Sequence, residues 1–129
     1  MSSKNQRFGR FIRQKRISDP RELTLTGMAK TLDMSVSMLS DIEQCRRKPY
    51  DNEKIATFCE YMHLTPDEKA LMYDLAARDR GILPNDIGDY MMNSEIGNMA
   101  RMALRMSKEG IIKEESWKKL IREARESEA

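Results

Sequence analysis

Residues Leu23 to Pro49, LTLTGMAKTLDMSVSMLSDIEQCRRKP, constrain this chain more than any other stretch. Apolar side chains recur there at helical spacing in two short segments, and only a tight corner fits between them. Leu25, Met28, Ala29 and Leu32 mark one face of the first segment, with Thr24 ahead of it as an N-cap. Ala29 is small where two helices must approach closely. Asp33-Met34-Ser35 forms the corner, and Asp33 falls where a left-handed backbone is usually needed, a conformation that Asp tolerates. Ser35 caps the second segment, Val36 to Gln44, which buries Met38 or Leu39 together with Ile42. Val36, Ser37, Ser40 and Asp41 then face away from that core. A basic loop, Cys45 to Lys48, follows at once, and Pro49 prevents the helix from continuing.

Two short helices at this spacing are what a helix-turn-helix needs to seat its second helix in the major groove of DNA. The residues resemble the XRE group of lambda-repressor-like transcriptional regulators, whose motif reads roughly L-S/T-x-x-x-L/M-A-x-x-L-x-V/M-S-x-S-x-L-S-x-I/L-E-x-G-x-R-x-P. Leu23, Thr24, Met28, Ala29, Leu32, Met34, Ser35, Ser37, Leu39, Ser40, Ile42, Glu43, Arg47 and Pro49 match it. The resemblance covers residues 6 to about 80 and, more loosely, ILPNDIGDYM at 82–91, where related regulators often carry a similar LPxDIxxY segment. It implies an all-α chain: a five-helix lambda-repressor-like DNA-binding bundle with additional C-terminal helices. Three positions depart from the family. Leu25 stands where relatives often have a phosphate-bonding Gln. Cys45 replaces the usual Gly, so the left-handed turn there is either absent or strained. The connector ISDPRELT, 17–24, is longer than in compact relatives.

The resemblance assigns Val36, Ser37, Ser40 and Asp41 to base edges. Val36 suits a thymine methyl, Ser37 and Ser40 several bases, and Asp41 the N4 amine of cytosine. The other reading of Asp41 is a salt bridge to a nearby Arg, because a carboxylate beside phosphates is repelled. Thr24, Ser35, Gln44, Arg46, Arg47 and Lys48 are the backbone-phosphate candidates; a solvated basic loop is the plainer alternative for them. Glu43 is expected to tie the second helix to the bundle, through an Arg of the first helix. Arg10, Arg13 and Arg16 fit either a DNA-facing surface or a solvated one.

Charge is distributed unevenly. Residues 1–50 carry 11 Lys/Arg against 5 Asp/Glu, and residues 51–129 carry 12 against 16. The basic part contains the motif, which suits a chain whose halves meet different partners. A length of 129 residues accommodates one core with a helical appendage, here 1–81 and 82–129. No run approaches the ~18 apolar residues of a membrane span, and the N-terminus lacks an apolar signal region. Cys45 and Cys59 have no metal-ligand spacing, so a reduced, cytoplasmic setting in a bacterium or phage, near the nucleoid, is expected. His63 is the only histidine, and no phosphate loop, nucleophile elbow or zinc motif accompanies it. Neither catalysis, cofactor nor metal is expected.

Around the motif, a first helix is expected from about Gln6 to Ile17, burying Phe8, Phe11 and Ile12, after a short arm that carries Lys4. Asp51 caps a fourth helix to Met62, with Ile55, Phe58, Cys59 and Met62 inward. Thr65, Pro66 and Glu68 form a capping box that opens a fifth, burying Leu71, Met72 and Leu75 and closing at Gly81. Asn85 and Ser94 cap helices reaching Met92 and Met106, and a last amphipathic helix spans Lys113 to about Ser127. Met91, Met99, Met102, Met106, Trp117, Leu120 and Ile121 supply more apolar surface than one buried stripe absorbs. They are read as a homodimer or partner interface, with core packing as the plainer alternative, since operators read by such folds are pseudo-palindromic with half-sites ~34 Å apart. A homodimeric repressor at a promoter operator is the leading expectation. The other is the antitoxin of a toxin–antitoxin pair, binding a toxin protein and autoregulating its operon.

Overall fold

In a computed structural model the chain is described over residues 6–128; the N-terminal arm with Lys4, Ala129 and the Asn85 side chain, read as a cap, lie outside the described residues. Eight α-helices and no strand are found among those residues: α1 Phe8–Ser18, α2 Leu25–Thr31, α3 Val36–Glu43, α4 Asn52–Tyr61, α5 Pro66–Arg80, α6 Asn85–Asn93, α7 Glu95–Lys108 and α8 Glu114–Glu128. None is long and apolar enough to cross a membrane. The chain divides into two compact units, one ending at Asp86 and one beginning at Ile87, five residues beyond the break expected after Gly81.

Local chemistry sets the helix ends of the first unit. Thr24 Oγ1 accepts from Gly27 N, Ser35 Oγ from Met38 N and Asp51 Oδ1 from Lys54 N, each satisfying an orphan amide of a first turn. Thr65 and Glu68 close a reciprocal capping box around Pro66. Helix α1 is capped from a distance: Asp79 Oδ2 on α5 accepts from Phe8 N at 3.3 Å and from Arg7 Nε at 3.3 Å. A carboxylate there also complements the positive end of the helix.

Five helices end on the same pair of backbone bonds, three of them at a residue that carries a β-carbon. Asp33 N bonds Lys30 O and Met34 N bonds Ala29 O; Cys45 N bonds Ile42 O and Arg46 N bonds Asp41 O; His63 N bonds Glu60 O and Leu64 N bonds Cys59 O. Asp33, Cys45 and His63 occupy the left-handed position with φ of 55°, 62° and 53°. The turn at Cys45 is thus present, with a β-carbon-bearing residue where glycine would sit without strain. Gly81, at φ 75°, ends α5 without that strain.

Helix α1 packs on α3 and α5, α2 on α3, and α4 on α5. Phe8, Ile12, Met28, Leu39, Ile42, Ile55, Phe58, Met72 and Leu75 fill the core. Of the pair left open on α3, Leu39 is buried and Met38 is exposed. Leu25, Met62 and Leu71 are half-buried at the core edge, because the stripes they extend reach past the covering helices. Tyr50 meets Phe8 edge to face, with ring centroids 5.1 Å apart, but its buried hydroxyl finds no hydrogen-bond partner among the described residues. Burial pushes that phenol well above its ordinary pKa. An unsatisfied buried hydroxyl is destabilising, so Tyr50→Phe should raise stability by about 1 kcal/mol in urea denaturation.

The second unit contains the rest of α6, with α7 and α8. Ser94 Oγ caps α7 through Gly97 N at 2.8 Å, and Gly97 is the one buried residue of this unit among those described. Trp117 Nε1 donates to Ser107 Oγ at 2.9 Å, joining the start of α8 to the end of α7. No residue of α8 is buried.

Candidate nucleic-acid interface

Helix α3 lies at the surface with one side embedded. Leu39, Ile42 and Glu43 are buried; Val36, Ser37 and Gln44 are exposed, and Ser40 and Asp41 half-exposed, on the side turned to solvent. Its position is fixed by Glu43, which is 4% exposed. Arg16 of α1 donates to both Glu43 oxygens at 2.9 Å and to the Leu23 carbonyl at 3.0 Å. That fork raises the Arg16 pKa above its ordinary value, hydrogen bonding to Glu43 outweighing desolvation. Arg16 is thereby committed to structure.

On the outward side, Gln44 Nε2 donates to Ser40 Oγ at 3.1 Å, so the two side chains present themselves as one polar group. Ser35 Oγ lies 3.5 Å from Ser37 Oγ. Thr24 and Ser35 each spend an acceptor lone pair on capping and keep a hydroxyl proton for an incoming anion. Arg46 approaches Asp41 at 3.8 Å, with side chains 68% and 39% exposed, a loose pair that water screens. Asp41 therefore neutralises the loop locally as well as facing outward.

A groove of about 590 Å³ runs between α1 and the end of α3, lined by Arg7, Arg10, Arg13, Gln14, Glu43, Gln44 and Cys45. Arg7 is held by Asp79 and Glu43 by Arg16. Arg10, Arg13, Arg47 and Lys48 are exposed, and no carboxylate pairs with them among the described residues. The sequence leaves Arg10 and Arg13 open between a DNA-facing and a solvated surface; the structure brings them beside Gln44. Their three-residue spacing, opposite the Phe8, Phe11 and Ile12 stripe, was the only signal in the sequence.

The departures from the motif acquire physical reasons here. Leu25 packs against the core edge, where a Gln amide would lose water. The long connector is braced: Arg21 grips the Asp19 carboxylate with Nε at 2.9 Å and lies over the Tyr61 ring, 4.6 Å from its centroid. The same fork holds the Asp19 carboxyl down to about 2.

The expected partner-facing residues fall into two groups. Met91, Met106 and Trp117 are half-buried within the second unit, whereas Met99, Met102, Leu120 and Ile121 are 52–60% exposed.

No family model, no curated protein and no solved structure matches this chain.

Proposed function

We propose that this chain is a sequence-specific double-stranded-DNA-binding transcriptional regulator, acting as a repressor by occupying a promoter operator. The observation that carries this reading is the solvent-facing side of α3, whose C-terminal end adjoins exposed Arg10 and Arg13 in the groove and leads into exposed Arg47 and Lys48, cations that no carboxylate pairs among the described residues. A helix about 10–12 Å across fits a major groove about 12 Å wide. Cations at the end of the helix then meet backbone phosphates and set register. In this reading Val36, Ser37 and the Ser40–Gln44 pair face base edges. Thr24, Ser35, Arg46, Arg47 and Lys48 hold phosphates, joined by Arg10 and Arg13. Asp41 steadies Arg46 and tolerates cytosine better than an acceptor-rich guanine edge.

A salt-titrated binding assay on the DNA upstream of the chain's own reading frame tests this. Arg46→Ala or Arg47→Ala should weaken binding to every sequence alike and reduce the salt slope by about 1 each. Ser37→Ala and Val36→Ala should instead change which operator is preferred, with the salt slope intact. Equal affinity for all duplexes across these variants, with thermal stability alone altered, would overturn the proposal.

A further inference from the structure

The groove between α1 and the end of α3 has the makings of an anion cradle. Its volume of about 590 Å³ falls within the ~300–1,000 Å³ of small-ligand sites. Arg10, Arg13 and Gln14 line it from α1, and Gln44 and Cys45 from the end of α3. Glu43, the one carboxylate in that lining, does not repel an anion: Arg16 takes both its oxygens at 2.9 Å, and it is 4% exposed. Arg7 is already engaged by Asp79, so the unspent charge is that of Arg10 and Arg13. The two walls are also fixed relative to each other. Gly9 brings α1 so near the last turn of α3 that a β-carbon there would lie 2.1 Å from the Ile42 carbonyl oxygen. A groove set in advance loses little in ordering when a ligand enters.

We infer that this groove binds the diphosphate group of a small ligand, and that its occupation withdraws Arg10 and Arg13 from DNA. Recognition follows from the donors. Arg10 and Arg13 stand three residues apart on α1, with β-carbons ~5–6 Å from each other, so two guanidinium forks can converge on linked phosphates. A single phosphate would leave one of the two cations unspent; a diphosphate uses both. Gln14 and Gln44 add amide donors, and the Gln44 amide is oriented by its bond to Ser40 Oγ at 3.1 Å. No aromatic ring lines the groove, so a nucleobase has nothing to stack on and the phosphates carry the recognition. Duplex DNA presents its phosphates singly on a convex surface, whereas the linked phosphates of a small ligand enter the groove together. Competition with DNA rests on the regulator reading above; binding of the diphosphate does not. By linkage, each ligand weakens the other by the same factor.

Calorimetric titration of inorganic pyrophosphate into the full chain without DNA, at fixed ionic strength, tests the site, with circular dichroism as the control for folding. Pyrophosphate should bind one to one and about tenfold more tightly than orthophosphate. Arg10→Gln and Arg13→Gln alter exposed positions, so each should keep the helical signal and weaken pyrophosphate about tenfold. Lys30→Gln removes the same charge from an exposed position outside the groove and should leave that affinity unchanged. Equal affinity for the two anions, or equal losses in all three variants, would overturn the site by showing a general response to net charge. A second titration, of the upstream duplex with and without saturating pyrophosphate, separates the two readings. Duplex affinity should fall about fivefold or more when pyrophosphate is present; an unmoved affinity would refute the withdrawal of Arg10 and Arg13. Pyrophosphate bound by a chain without duplex affinity would uphold the site and remove the regulator reading. Duplex binding that depends on Arg10 and Arg13 in a chain that ignores pyrophosphate would remove the site and keep that reading.

Discussion

Glu43→Ala should destabilise the first unit by about 3 kcal/mol or more, the range found when one member of a buried ion pair is removed. The deletion strands Arg16, whose guanidinium keeps only the Leu23 carbonyl, in a place where its side chain is 13% exposed. Most of that penalty comes from the uncompensated charge rather than from the lost attraction. Replacing both partners with apolar residues, Arg16→Met and Glu43→Leu, should therefore recover most of the stability. Urea denaturation of the two variants checks this, and equal losses in single and double variants would show that the pair itself supplies the energy. DNA affinity gives a second readout. The apolar pair would fold yet hold α3 without a fixed fork, so affinity should fall further than stability does.

Gly9→Ala has an effect of comparable size for a steric reason. A β-carbon at Gly9 would lie 2.1 Å from the Ile42 carbonyl oxygen, 2.9 Å from Cys45 Sγ and 3.0 Å from the Glu43 carbonyl oxygen. Two of these are backbone atoms of the last turn of α3 and cannot rotate aside. Overpacking of this kind costs about 3 kcal/mol, and relief requires α1 and α3 to separate. Separation moves the end of α3, and with it Gln44 and the groove beside Arg10 and Arg13. Thermal melts should show the destabilisation. Binding measured well below the transition should show at least a tenfold loss of DNA affinity. An alanine variant with unchanged melting would mean that the helices do not approach this closely.

The helix starts were legible in the residues because capping is local. Thr24, Ser35, Asp51, Thr65 and Ser94 each reach an amide three residues ahead, a bond that needs no other part of the chain. The left-handed corner at Asp33 follows the same logic. Glu43 was legible as a tie to α1 because a carboxylate on the inward side of an apolar helix needs a cation. Which arginine answers it was not.

What stayed hidden depends on contacts between residues far apart in sequence. Helicity and amphipathic spacing allowed Met38 and Leu39 equally; only the packing of α1 and α2 against α3 buries Leu39 and leaves Met38 in water. Asp79 caps α1 from 71 residues away, which no local pattern signals. Arg10 and Arg13 acquire a setting only when the end of α3 is laid beside them. The sequence by itself determined the all-helical character, the corners and the caps, since these are settled within a few residues of backbone. Tertiary structure decided which faces are covered and which cations keep their charge unpaired, because burial and electrostatics are sums over neighbours that only folding brings together.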